Sequence, residues 1–308
     1  MEHYSVLLHE AIDALDIKSG GTYVDLTLGR GGHSAAILRK LKEGHLYCFD
    51  KDASALKESS PRLEKVGSNF TLIQADFSSV KEALAKEGVT LVDGIIADLG
   101  VSSPQFDDPS RGFSYRYEAR LDMRMDQSQA LDAYEVVNSY PLERLIQILR
   151  DYGDEKDAYK IASNIVKRRQ IKPIVTTFDL VDVVKESKTQ KELSKKGHPA
   201  KQTFQAIRVE VNGEMKALEK ILEVAPSLLS RGGRLAIITF NSNEDRLVKT
   251  KFASLSVIQG DRKGFLRPED IQKPQYSTLT HKPITPSQKE LEENNRSLPA
   301  KLRVLIRN

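Results

Sequence analysis

Short apolar runs alternate with helix-spaced segments over the first third of the chain. Residues 22–28 form one apolar run, and 34–41 follow it with Ile37, Leu38 and Leu41 on one helical face. Further apolar runs cover 45–50, 70–75 and 92–99, and the segments between them, 53–65 and 79–86, carry helical spacing. That rhythm predicts an α/β core with a mostly parallel sheet and helices on both faces. It stops at Phe106. A polar loop over 107–126 then leads into helical patterns at 141–150, 157–169 and 178–187. Thr176 and Asp179 read as a helix N-terminal capping pair. The rhythm resumes at Phe204. A long amphipathic helix is expected over 205–229, then a turn at Arg231-Gly232-Gly233, an apolar strand over 234–240 and a polar loop over 241–246. Strand-like stretches at 255–258 and 302–306 lie in the tail. The expected plan is a core in two parts, 1–105 and 204–308, with a helical domain of about 100 residues inserted at 106–203.

The most telling segment is VDLTLGRGGHS, from Val24 to Ser34. It predicts a strand ending in an acid, a glycine loop and a helix start, an arrangement that builds a nucleotide-type pocket at the carboxyl end of a strand. A dinucleotide fingerprint, G-x-G-x-x-G, would place its third glycine at position 34, where this chain has Ser34 and instead carries Gly32. A pyrophosphate gains nothing from a carboxylate. The methionine end of S-adenosylmethionine carries an ammonium, which suits Asp25 beside bare glycine backbone. A tight turn that binds nothing is the plain alternative for this motif alone.

Composition narrows the class. The 308 residues are 39% apolar and 29% charged, ordinary for a globular protein. The net charge of +4 permits an anionic partner without requiring one. The single cysteine, Cys48, excludes an internal disulfide and points to a reducing compartment. Residues 1–10 carry no basic, apolar leader, and no window reaches the roughly 18 apolar residues of a membrane span. The expectation is a cytoplasmic protein with no membrane partner.

Ligands of an open α/β sheet lie beyond the carboxyl ends of its strands. Gly29, Gly31, Gly32 and His33 follow the first strand. Asp50 ends the second, where a carboxylate can accept both ribose hydroxyls. Asp76 and Phe77 follow the third and suit an adenine amino group and an adenine face. Asp98 ends the fourth, with Ser102, Ser103, Pro104 and Gln105 after it, and Asn241 follows the resumed strand. Each acid alone reads equally well as a solvated strand end. Their recurrence in step with the glycine loop favours a built site.

Methyl transfer from a sulfonium is an in-line displacement that asks mainly for positioning and charge. Carbon-5 methylation of a pyrimidine would need a cysteine nucleophile. Cys48 lies inside an apolar strand and reads as a packing residue, and 98–105 holds no cysteine. An amine or hydroxyl acceptor fits better, held by Asp98 and the Ser102-Ser103-Pro104 turn. His3, His9, His45 and His281 lack metal-like spacing, so no metal is expected. His33 is expected to act through its backbone more than its ring. His198, before Pro199 in a basic stretch, can face an RNA phosphate or simply solvent.

Taken with its longer motifs, the chain resembles the bacterial 16S ribosomal RNA (cytosine-N4)-methyltransferase H family, also called MraW. The blocks that carry the resemblance are DLTLGRGGHS at 25–34, DLGVSSPQ at 98–105, RGFSY at 111–115, LDMRMD at 121–126, HPAKQTFQAIRVEVN at 198–212, GGRLAIITF at 232–240 and PITPS at 283–287. DLGVSSPQ followed by LDMRMD is highly specific. The resemblance implies a Rossmann-like S-adenosylmethionine-dependent core with an inserted helical domain for substrate recognition. It implies N4-methylation of a cytidine in the decoding centre of 16S rRNA, on the assembled small (30S) ribosomal subunit. It implies cofactor contacts at Gly31, Gly32, His33, Asp50, Phe77, Asp98 and Gln105, with Asp98 also the catalytic residue. The chain departs from the family pattern in three places. Asn241 and Asn243 stand where the family has His and Leu, so a histidine role cannot be carried over, although Asn241 can still hydrogen-bond a base. Glu118-Ala119-Arg120 stands for D-G-P, and Gly153-Asp154-Glu155 for G-E-E.

An RNA partner fits Arg111, Arg116, Arg120 and Arg124, the Lys167-Arg168-Arg169 run and the basic stretch 185–201. Such contacts supply affinity without sequence information. Each run taken singly reads as a solvated face. The target base would have to be unstacked to enter the pocket. Two other readings stand beside this one: a DNA or small-molecule amino methyltransferase on the same core, and a non-catalytic RNA-binding assembly factor. A homodimer is left open.

Overall fold

Apolar runs bounded by glycine and acid become strands, and the amphipathic segments between them become the helices that cover the sheet. The computed structural model describes residues 5–257 and 274–308. The chain begins α1 (Leu8–Leu15), β1 (Thr22–Asp25), α2 (Gly32–Lys40), β2 (His45–Asp50), α3 (Ala53–Glu64), β3 (Phe70–Gln74), α4 (Val80–Lys86) and β4 (Val92–Asp98). Helices follow: α5 (Ser103–Asp107), α6 (Ala133–Ser139), α7 (Leu142–Gly153), α8 (Ala158–Ile171), α9 (Thr177–Glu186), α10 (Gln190–Leu193) and α11 (Lys201–Asn212). The chain then runs through α12 (Glu214–Leu228), β5 (Leu229–Thr239), α13 (Ser242–Leu255), β6 (Tyr276–Thr278), α14 (Gln288–Glu293) and β7 (Lys301–Arg307). It divides into two compact units, Met1–Gly100 with Lys216–Asn308, and Val101–Met215. The boundaries expected at 105/106 and 203/204 stand at 100/101 and 215/216 in this division.

The first unit holds a sheet ordered β3-β2-β1-β4-β5-β7-β6. It is parallel from β3 to β5, and β7 runs antiparallel to both of its neighbours. Successive strand residues point to opposite faces. Val24, Phe49, Ile95 and Ile237 pack with α4, α12 and α13, whereas Tyr23, Cys48, Ile96 and Ile238 pack with α1, α2 and α3. Burial on both faces explains why these strands read as continuous apolar runs.

The second unit is helical. Ile148, Ile161, Leu180 and Ile207 share one core with Phe113, Leu121, Met123 and Met125 of the preceding loop. The expected cap is present: Thr176 Oγ1 accepts the Asp179 N–H at 3.1 Å, and the Asp179 carboxylate accepts the Thr176 N–H at 2.9 Å.

Four expectations are corrected. The long helix over 205–229 is two helices, because Gly213 closes α11 in a left-handed conformation, φ +62°. Phe204 and Ile207 then serve the helical core, and Leu218 and Leu222 serve the sheet. The turn at Arg231-Gly232-Gly233 lies inside β5 as an irregularity, where pairing with β4 jumps from Val92↔Leu229 to Gly94↔Arg234. The polar loop at 241–246 is the start of α13, which runs to Leu255 because Val248 and Phe252 bury one helical face. A strand at 255–258 is therefore excluded at its first residue, and Ile258 lies outside the described residues.

Candidate active site

The strand order reverses direction between β1 and β4, and the crevice at such a switch point is where open α/β sheets bind ligands. Strand parity supplies the acids. Asp25, Asp50 and Asp98 share parity with Tyr23, Cys48 and Ile96, so all three lie on the face covered by α2.

Asp25 is buried, and both of its oxygens are engaged by its own loop. Oδ1 accepts the Thr27 N–H at 3.0 Å, and Oδ2 accepts the Ser34 hydroxyl at 2.6 Å. It is a clamp on the glycine turn rather than a partner for a ligand ammonium. Thr27 Oγ1 in turn accepts the Asp98 N–H at 2.6 Å, tying the end of β4 to the loop after β1. Gly29 and Gly31 take left-handed φ values of +49° and +69°, which bare backbone tolerates. A Cβ on Gly32 would stand 1.8 Å from Ser5 Oγ, so the chain before α1 lies directly on this loop.

Asp50 closes the loop from the other side. Its Oδ2 accepts the Gly29 N–H and its Oδ1 the Asp52 N–H, both at 2.9 Å. Burial raises its pKa to about 6 despite these bonds. His33 is buried, and burial lowers its pKa to about 4, so the ring is neutral at physiological pH. Its Nε2 lies 3.1 Å from the Val6 carbonyl, which places the ring proton there. Nδ1 then faces Asp98 Oδ2 at 3.9 Å. Asp98 Oδ1 is buried with no hydrogen-bond partner among the described residues. Burial, then the nearby carboxylates of Asp25, Glu244 and Glu290, pushes the Asp98 pKa well above the carboxylate range. A cation placed here would relieve this crowding of acids, and an N–H donor would satisfy the orphaned oxygen. A small ligand with an ammonium end fits both needs.

The remaining expected residues are placed as follows. Phe77 is partly buried at the turn after β3, packed on the sheet core. Asp76 caps that turn by accepting the Ser78 N–H at 2.8 Å and lies 3.5 Å from Lys51 Nζ. Gln105 belongs to the helical unit, where its side-chain oxygen accepts the Ser102 N–H at 3.1 Å. Cys48 is buried against Ser34 with its thiol pKa raised by burial, as a packing cysteine should be. Asn241 caps α13, its oxygen accepting the Asn243 and Glu244 N–H groups at 3.1 and 2.9 Å, so that oxygen already has partners on its own helix.

Six of the basic side chains assigned to an RNA partner are engaged internally. Arg111 donates to the Arg124 and Met125 carbonyls, Arg124 pairs with Asp122, and Arg120 pairs with Asp132. Arg168 pairs with Glu186, Arg169 donates to the Val137 and Tyr140 carbonyls, and Lys188 pairs with Glu155. These residues therefore already have acid or carbonyl partners within the helical unit.

The sequence reading missed Thr27, Val6, Glu244 and Glu290. Thr27 lay within the quoted motif. Glu290 had no local signal, because it reaches the site from the far tail: its Oε1 accepts the Leu7 N–H at 2.9 Å and the Ser297 hydroxyl at 2.7 Å. Among the described residues no cluster of His, Cys, Asp or Glu is placed to hold a metal ion, and no helix is long and apolar enough to cross a membrane.

The sequence model of the MraW methylase family matches residues 1–308. A protein of Lactobacillus delbrueckii subsp. bulgaricus named ribosomal RNA small subunit methyltransferase H is 52% identical over 315 residues, covering 98% of each chain. Proteins of the same name from Oenococcus oeni and Limosilactobacillus fermentum are 47% and 49% identical, each covering 99% of this chain and 98% of its own. The chain belongs to the MraW methylase family and is a methyltransferase.

Proposed function

We propose that the protein methylates N4 of a cytidine in the decoding centre of 16S rRNA, on the assembled small ribosomal subunit in the cytoplasm. Its relatives' name supports ribosomal RNA of the small subunit as the substrate class. The observation that carries the amine acceptor is Asp98, a strand-end carboxyl whose Oδ1 is buried and lacks a partner. When bound, S-adenosylmethionine supplies a methyl group on a positively charged sulfur. The backbone of Gly31, Gly32 and His33 would hold its methionine end, Asp50 would accept its ribose hydroxyls, and Phe77 would offer a ring face to its adenine. In that positive field Asp98 ionises. Asp98 would accept an N–H of the cytosine amine, keep its lone pair oriented for attack, and take up the proton that the amine sheds on methylation. Cys48 is too deeply buried for a carbon-5 route.

The test is incubation with methyl-labelled cofactor and, in parallel, undermethylated small subunits, naked rRNA and DNA. Label entering subunits, and released by digestion as N4-methylcytidine, supports the proposal. Label in DNA or free metabolites but not in subunits refutes it, and cofactor binding without incorporation anywhere favours a non-catalytic assembly factor.

A further inference from the structure

With most arginines of the helical unit paired internally, one cationic cluster of that unit stands apart. The rings of Tyr115 and His198 stack with centroids 4.1 Å apart and planes 9° from parallel. Phe204 meets Tyr115 edge-on at 5.7 Å and is itself buried in the helical core, so the stack rests on a fixed base. The Ala200 N–H donates to His198 Nδ1 at 3.3 Å, which leaves the ring proton on Nε2 as a donor. Arg116 and Lys185 are both exposed and lie within electrostatic reach of His198. Neither makes an ion pair among the described residues. Burial and these two charges hold the His198 pKa below its ordinary value, so the imidazole is neutral and adds no repulsion of its own. Exposed Lys195 and Lys196 lead to Gly197, whose φ of +105° and open surroundings bring the chain round to the ring.

Simple packing would account for the ring stack, since one aromatic pair under a loop is common. It does not account for two exposed cations without acid partners gathered at a neutral ring. That pattern calls for an anion, and the ring faces call for a flat apolar partner. A nucleotide in a single strand offers both, and aromatic platforms bordered by cations are how proteins hold such strands. A duplex would bury its bases and leave the rings without a partner.

We propose that Tyr115 and His198, flanked by Arg116 and Lys185, form a stacking platform for an unpaired nucleotide of the RNA substrate, with its base on the rings and its phosphate between the two cations. This rests on the reading of the protein as an rRNA methyltransferase and adds a substrate-binding role for residues outside the crevice.

The experiment uses the full chain, a fluorescein-labelled single-stranded RNA oligonucleotide, the same RNA as a duplex, and undermethylated small subunits. His198→Ala and Tyr115→Ala are expected to weaken single-strand binding about tenfold. They raise KM for subunits by a similar factor while kcat and S-adenosylmethionine affinity hold. Tyr115→Phe keeps the ring and stays near wild type. The Arg116→Ala/Lys185→Ala double variant changes only exposed side chains, so folding is not at issue. It is expected to reduce the salt dependence of binding by about 1 in slope. If the wild type methylates subunits but His198→Ala and the double variant leave affinity and KM unchanged, the platform is wrong and the enzymatic reading stands. Equal loss in Tyr115→Phe and Tyr115→Ala, or preference for duplex, also overturns it. A wild type that neither binds nor methylates any RNA overturns both.

Discussion

Asp98 shows how much of the site's chemistry depends on burial. In sequence it is one acid at a strand end. In the fold it lies near Asp25, Glu244 and Glu290, keeps one oxygen without a partner, and has its pKa pushed well above the ordinary carboxylate value by burial and those acids. Binding a cation beside it must favour the ionised form, so cofactor binding should release protons. Calorimetry in buffers of different ionisation heat reads this directly; a binding heat independent of buffer would contradict it. Asp50 carries a second pH signature. Its pKa of about 6 lies above the ordinary value, so its carboxylate fraction falls as pH drops through about 6, and the ribose hydroxyls it is proposed to hold would lose acceptors. Affinity for S-adenosylmethionine should therefore decline below about pH 6. Asp50→Ala should weaken binding about 10- to 100-fold at neutral pH, the loss typical of hydrogen bonds to a charged group. At this scale the acids were legible because they stand at the ends of apolar runs. Which of them clamps the loop was not, since only the observed bonds show that Asp25 is fully occupied by Thr27 and Ser34.

Elements were most legible where a local signal sets their limits. The Thr176–Asp179 cap is reciprocal, as its spacing predicted. Thr176→Ala should lower stability by about 1 kcal/mol, read as a fall in melting temperature. The break between α11 and α12 went unseen because an amphipathic pattern continues across it, although the two helices serve different cores. Gly213 makes the break, and a Cβ there would meet nothing within 4 Å. Gly213→Ala should therefore cost only its left-handed strain, about 1 kcal/mol, with activity retained. A loss well beyond that would mean that the glycine also serves a close approach. The strand expected at 255–258 fails at its first residue for a related reason: a short apolar stretch fits either period, and burial of Val248 and Phe252 on the sheet carries α13 through Leu255.

For the whole molecule, charge was the least reliable guide. The sequence offers thirteen basic residues to RNA across Arg111–Arg124, 167–169 and 185–201, counting Arg111, Arg116, Arg120, Arg124, Lys167, Arg168, Arg169, Lys185, Lys188, Lys191, Lys195, Lys196 and Lys201. Many of them hold the helical unit together instead. RNA affinity should accordingly show a shallow salt dependence, a log–log slope of about 3 if Arg116, Lys185, Lys195 and Lys196 meet phosphates, against about 9 if all of those residues did. Titration of the labelled single strand across salt concentrations separates the two.

The alternation of apolar and polar positions by itself determined the sheet, the helices on its faces and the row of acids at its strand ends, because burial on two faces and strand parity are written in local periodicity. Motif order pointed to the family. Tertiary structure alone decided which charges neutralise each other and which are left without a partner. Pairs such as Arg234 with Asp16 and contacts such as Glu290 with Leu7 join positions far apart in the chain, where no local pattern reaches. It also decided protonation, since the pKa of Asp98 depends on neighbours brought together only by folding.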